Sequence, residues 1–211
     1  HPAAPFNRAL CLEKLERWQE AGEAFQQSLM ADAERMDARL GLGICLLRQE
    51  QAEASLQHFD RILAFDEKHE TASFGKAVAL QLLWRFDEAA TIYQKILSRN
   101  PESEECLTNL VTIGLARKDE AMTREYAERL LQLRPQSQVA LEGLANCSFA
   151  AQDYEAAANF CSKLVELGGE NYERWFNLAV ALHKTRKLER ASDAYQQAVR
   201  LRPDAKQAWV N

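Results

Sequence analysis

Glycine and proline are scarce in this chain, at 8 and 5 of 211 residues. A loop-rich all-β fold needs many turn formers, so that class is disfavoured and helix is the default. An excess of positive charge is also missing: 26 Lys and Arg stand against 31 Asp and Glu, a net charge of −5. A surface that neutralises phosphates carries the opposite balance, which argues against nucleic acid as a partner. No uncharged apolar run approaches the roughly 18 residues of a membrane-spanning helix. The longest candidate, Gly143 to Gln152, is interrupted by Asn146 and Ser148. No membrane association is expected. His1 to Arg8 lack the apolar centre of a signal peptide, and a cytoplasmic address is expected.

Motifs for chemistry are equally thin. Five cysteines are an odd number with no CxxC pair. Cys11, Cys45 and Cys147 fall at one place of the repeat described below, where Ala79 and Ala181 also stand. A small buried apolar residue therefore explains all five, in a reducing compartment. His1, His58, His69 and His183 show no HExxH pattern and no cysteine at ligand spacing, so no metal is expected. Glycine-rich phosphate loops and G-x-S-x-G elbows are absent as well. Neither a cofactor nor catalysis is expected. With 47% apolar and 27% charged residues, the chain is nonetheless an ordinary folded protein rather than a disordered one.

What the sequence does contain is a repeat. Pro101, Pro135 and Pro203 are separated by 34 and then 68 residues. Trp175 and Trp209 are 34 apart, and Leu110, Leu144 and Leu178 keep the same step. Phe25, Phe59, Tyr93 and Tyr195 share one comb, with Ala127 and Cys161 in its remaining teeth. Ala21, Ala89, Ala157 and Ala191 share another, completed by Ser55 and Thr123. No insertion breaks the phase from Pro2 to Ala205. The units are 2–35, 36–69, 70–103, 104–137, 138–171 and 172–205, in a single domain over 1–211. Residues 206–211 begin a truncated seventh unit.

Within the last unit, Trp175, Leu178, Ala179 and Leu182 lie at i, i+3, i+4 and i+7, one face of a helix. Leu188, Ala191, Tyr195 and Ala198 make a second helical stripe, with a tight turn over Lys184 to Lys187. Each unit is thus two antiparallel helices. Ser103, Ser137 and Asn171 close successive units with side chains that cap the next helix, and Pro101 and Pro135 end the helix before. Ala9, Gly43, Ala77, Val111, Ala145 and Ala179 face the Ala21 column, so small residues let the paired helices approach closely. One hairpin cannot cover its own apolar faces; stacking must supply the core.

These residues resemble the tetratricopeptide repeat. Its pattern of W, L-G/A, Y/L, A, F/Y, A and P stands in the last unit as Trp175, Leu178, Ala179, Leu182, Ala191, Tyr195, Ala198 and Pro203. The resemblance covers essentially the whole chain. It departs at Gly114, Thr123 and Ala127 in the fourth unit and at Ser148 and Cys161 in the fifth. It implies an all-α fold, a right-handed α–α superhelix of antiparallel helix hairpins, whose first helices line an inner groove. It also implies a non-enzymatic scaffold that holds a protein or an extended peptide there.

The groove-facing places, set by phase, are Phe74, Glu105, Asn109, Thr112, Glu142, Asn146, Phe149, Phe176, Asn177 and His183. Asn7, Asn109 and Asn177 share a column with Gly41, Gly75 and Gly143. The column resembles the asparagine ladder by which some family members hold extended peptides, with glycine admitting the peptide backbone. The dicarboxylate clamp of other members is matched only at Asn146 and Asn177. Glu142 stands where its first lysine should be, and Gln207 where a later cation should be. Glu105 and Glu142, with no Lys or Arg among the groove places, point to a neutral or basic segment with apolar anchors. Two alternatives stand beside this reading. One is the substrate-reading arm of a larger enzyme, such as a glycosyltransferase, with its catalytic part beyond Asn211. The other is end-to-end self-association through the unfinished apolar end.

Overall fold

The computed structural model describes residues 4–168 and 171–203, and among these every regular element is an α-helix. The helices pair in chain order. They are α1 (Ala4–Lys14) with α2 (Trp18–Ala31), α3 (Met36–Arg48) with α4 (Ala52–Phe65), and α5 (Glu70–Leu82) with α6 (Phe86–Leu97). Then follow α7 (Glu104–Arg117) with α8 (Glu120–Leu133), α9 (Gln138–Ala150) with α10 (Tyr154–Leu167), and α11 (Tyr172–Lys184) with α12 (Leu188–Leu201). The second helices begin every 34 residues, at Trp18, Ala52, Phe86, Glu120, Tyr154 and Leu188. The expected start of a seventh hairpin, with Gln207 and Trp209, lies outside the described residues. The chain divides into two compact units, His1–Cys106 and Leu107–Asn211.

Six turns of one design join the helices of each pair. Glu16, Glu50, Trp84, Lys118, Gln152 and Arg186 all have φ between 55° and 60°. The following residue donates its N–H back to the carbonyl five earlier: Arg17 to Leu12, Gln51 to Leu46, Arg85 to Leu80, Asp119 to Gly114, Asp153 to Ser148 and Lys187 to Leu182, at 2.8–3.0 Å. This is the Schellman closure, which satisfies carbonyls left open at a helix end. Between hairpins the solution is a side-chain cap. The Ser103 and Ser137 hydroxyls accept from Cys106 and Ala140 N–H, each at 3.4 Å. Asn171 accepts from Glu173 and Arg174, at 2.9 and 3.2 Å. His69 holds the same place one repeat before Ser103, its Nδ1 accepting from Ala72 N–H at 3.2 Å.

The first unit is built around rings seated on glycines. A Cβ at Gly41 would come within 2.4 Å of the Phe25 ring. Phe59 is held from two sides: a Cβ at Gly43 would lie 2.9 Å from its ring, and one at Gly75 only 2.5 Å. Both phenylalanines are fully buried. In the second unit Val111, Ala145 and Ala179 are buried as their column requires, and Leu110, Leu144 and Leu178 lie in the core.

Two side chains sit uneasily in the first unit. Ser28 is buried in a column that Ile62 and Ile96 occupy in the next hairpins, and its Oγ has no hydrogen-bond partner among the described residues. An unsatisfied buried hydroxyl is destabilising, so Ser28→Ala should stabilise the protein by about 1 kcal/mol in urea denaturation. A lower midpoint in the variant would reveal a partner for the hydroxyl. His58 is half-buried with Nδ1 unpartnered, and its pKa is lowered from 6.5, first by burial and then by the nearby Arg39 guanidinium. The unfolded chain therefore binds this proton more readily than the folded one. Stability is full above 6.5 and is lost as the pH falls through the lowered value. Denaturation at about pH 7.5 and about pH 5.5 should show this loss, and His58→Gln should flatten it. An unchanged slope in the variant would assign it to other groups.

Two expectations need correction. Four cysteines are buried as predicted, but Cys11 is exposed. Its column packs on the second helix of the preceding hairpin, as Cys147 does where its Sγ meets the Glu120 carbonyl at 3.6 Å. No helix precedes α1 among the described residues. Burial pushes the Cys45 and Cys161 thiols up to about 11, and those of Cys106 and Cys147 upward too, which keeps them protonated at neutral pH. Leu188, placed in the apolar stripe, is 60% exposed. Among the described residues no helix follows α12 to cover it. No helix among the described residues is long and apolar enough to cross a membrane.

Candidate functional site

In the first unit, Phe74 on α5 is half-buried and packs T-shaped on Tyr93 of α6, with ring centroids 5.6 Å apart. Tyr93 in turn donates to Gln81 Oε1 at 3.2 Å. Burial raises the Tyr93 pKa, so the phenol stays a neutral donor. Phe74 floors an open hollow of about 430 Å3 whose sides include Glu70, Thr71, Asn100 and Glu105. Both glutamates are exposed and lie in the first turns of α5 and α7, where a carboxylate complements the positive helix end.

The other predicted residues belong to the second unit. Asn109 and Thr112 are on α7, Glu142, Asn146 and Phe149 on α9, and Phe176, Asn177 and His183 on α11. Gly143 sets α9 close against α7, since a Cβ there would lie 3.0 Å from Val111 Cγ1. Arg174 ties α9 to α11 by donating to Gln138 Oε1 at 2.8 Å and Glu142 Oε1 at 3.0 Å. Asn146, Asn177, Thr112 and His183 are exposed, while Asn109, Phe149 and Phe176 are half-buried. Thr112 Oγ1 and Asn146 Nδ2 each donate to the carbonyl one turn back, on Thr108 and Glu142, at 3.0 Å. Helices α9 and α11 thus each carry an exposed asparagine and a half-buried phenylalanine.

The rings form a row of which the sequence predicts only Phe176 and His183 as site residues. Tyr172 stacks on Phe176 at 5.7 Å, Phe176 packs T-shaped on Tyr195 at 5.9 Å, and Tyr195 meets His183 at 6.4 Å. Arg202 lies 4.6 Å over the Tyr172 ring. Tyr172 and Phe176, four residues apart, carried the signal: aromatic residues at that spacing share a helix face.

Two parts of the predicted chemistry change. Glu142 does not offer free negative charge, because the Arg174 guanidinium, only 14% exposed, holds it. The cation lay outside the groove columns and reaches them with a long side chain. The glycines of the asparagine column are buried, and the space where their side chains would be is taken by Phe25, Phe59 and, at Gly143, by Val111 and Thr123. Internal packing accounts for them without a peptide backbone.

Sequence profiles of the tetratricopeptide repeat match residues 6–70 and 124–172, 71–103, and 172–205. They leave 104–123 uncovered, which is α7 and the start of α8, where Gly114 and Thr123 depart from the pattern. No curated protein matches the chain. Among solved structures, PilF of Pseudomonas aeruginosa is similar at a TM-score of 0.78 and 18% identity, covering 99% of this chain and 95% of that one. YrrB, described as a TPR protein with an unusual peptide-binding site, gives 0.75 at 19% identity, covering 89% and 97%. MamA of Desulfovibrio magneticus RS-1 gives 0.73 at 15% identity, covering 82% and 97%. At these identities the likeness establishes the fold, a tetratricopeptide helical solenoid.

Proposed function

Because the chain belongs to the tetratricopeptide repeat family, we propose that it is a non-catalytic interaction module holding an extended segment of a partner protein. The observation that carries this reading is the pairing, on neighbouring helices α9 and α11, of exposed Asn146 and Asn177 with half-buried Phe149 and Phe176. An amide can both donate to and accept from a peptide backbone, and a partly covered ring gives an apolar anchor. The solved relative described by its peptide-binding site supports the same reading. Exposed Glu173, in the first turn of α11, favours a neutral or basic segment, whereas Glu142 contributes little while Arg174 holds it.

A displayed random-peptide library tests this. Selection on the intact protein should enrich neutral or basic peptides, and their affinity should drop about tenfold in the Asn146→Ala/Asn177→Ala double variant. Failure to enrich any peptide, or equal affinity for parent and variant, would remove the proposal.

A further inference from the structure

A corner recurs where the first residue of each second helix meets the end of the next hairpin's first helix. Between the first and second hairpins, the Arg48 guanidinium lies 5.4 Å over the Trp18 ring, and Gln49 Nε2 donates to the Trp18 carbonyl at 3.3 Å. Between the fifth and sixth, Lys184 Nζ lies 6.0 Å over the Tyr154 ring, against which Phe149 packs T-shaped at 6.3 Å. Ala52 and Leu82 hold these places between the second and third. Counting by 34 puts Glu120 and Ala150 at the corner between the fourth and fifth hairpins. There the ring is replaced by an exposed carboxylate and the covering cation by a methyl group.

A third truncation adjoins the other two. Gly114 stands in a column held by Leu12, Leu46, Leu80, Ser148 and Leu182. It cannot regain a side chain where it is, since a Cβ would lie 2.5 Å from Thr123 Oγ1 and 3.0 Å from the Thr123 backbone nitrogen. The corner is an open cavity of about 450 Å3 beside Gly114, within the range of ligand pockets, whose lining includes Leu115, Lys118, Glu120, Asn146 and Ala150.

We propose that this corner receives an aromatic side chain of the segment bound on the adjoining face. The filled corners give the reason: two of them place a ring face beneath a cation, and here Lys118 lines the cavity while the ring is missing. The negative face of an aromatic ring complements that ammonium, which an aliphatic side chain does not. Leu115 and Ala150 give the ring an apolar wall, and Asn146 offers a partner to an indole N–H or phenol O–H. Asn146 belongs to both the cavity and the asparagine-bearing face, so the pocket rests on the peptide-holding reading and adds a residue class to it.

The probe is N-acetyl-L-tryptophan amide, with N-acetyl-L-leucine amide as control, titrated into 15N-labelled protein. The aromatic probe should shift the Gly114 and Ala150 amide resonances saturably, with affinity about fivefold or more above the control. Glu120→Tyr/Ala150→Lys rebuilds the corner seen at Tyr154 and Lys184; it should abolish binding and raise the melting temperature. Ala150→Phe alone, which blocks the cavity from α9, should abolish binding as well. Equal affinity for both probes, no shifts at these residues, or binding that survives both variants would overturn the proposal. Library peptides that bind the double variant as tightly as the parent would overturn the pocket and leave the peptide-holding reading intact. Probe binding without any enriched peptide would keep an aromatic-binding cavity but overturn both that reading and a bound segment as its occupant.

Discussion

Gly75→Val is expected to cost about 3 kcal/mol of stability, although valine is the better helix former. A Cβ at this position would meet Phe59 Cζ at 2.5 Å, and the ring cannot retreat because the site of a Cβ at Gly43 lies 2.9 Å from it. The ring is fully buried, so accommodation requires α5 to move away from α4. Urea denaturation of the variant measures the loss. Trimming the ring in Gly75→Val/Phe59→Leu should return part of it, a positive coupling in the double-mutant cycle. Parent-like stability of the single variant would show that the ring has space elsewhere.

Arg174→Ala is expected to cost about 2 kcal/mol and to change the charge of the candidate site as well. The guanidinium reaches Glu142 and Gln138 on α9 and lies 3.4–3.5 Å from the Leu164 and Gly168 carbonyls at the end of α10. Its loss leaves a helix end less well satisfied and frees the Glu142 carboxylate. Library-selected basic peptides should therefore bind the variant more tightly even as its denaturation midpoint falls. Arg174→Lys keeps a cation but not the planar fork, and should recover little of the stability. Unchanged peptide affinity would indicate that Glu142 does not face the ligand.

Most of the fold is legible in the sequence. The 34-residue combs hold because each aromatic or leucine column fills the same space in every hairpin, so Phe25, Phe59 and Leu110 announce burial by phase alone. The caps at Ser103, Ser137 and Asn171 were equally legible, since short polar side chains at a unit boundary have few other uses. His69 was not, because a ring nitrogen accepting from a backbone N–H has no compositional signature. Leu188 and Cys11 were misplaced since phase reports which face a residue occupies, not whether a neighbour covers it. For the candidate site, phase predicts which helix face a residue occupies but not which charges meet there. Phase predicts the exposure of Asn146 and Asn177, while Arg174, from outside the columns, holds Glu142. The cavity beside Gly114 emerges only when three separate shortfalls, at 114, 120 and 150, converge in space.

The six Schellman turns carry a further meaning. Glycine is the customary occupant of the left-handed position, yet this chain uses Glu, Glu, Trp, Lys, Gln and Arg, and the backbone takes the same torsion under each. The hydrogen-bonded closure thus holds the left-handed torsion under chemically different side chains unbranched at Cβ, which leaves these six sites open to variation within that class. At Trp84, 78% exposed and leaning on Phe86 at 5.6 Å, the bend carries an indole where the others carry polar groups. Fluorophores, crosslinkers or new specificity grafted at such bends should leave the helices that they join undisturbed.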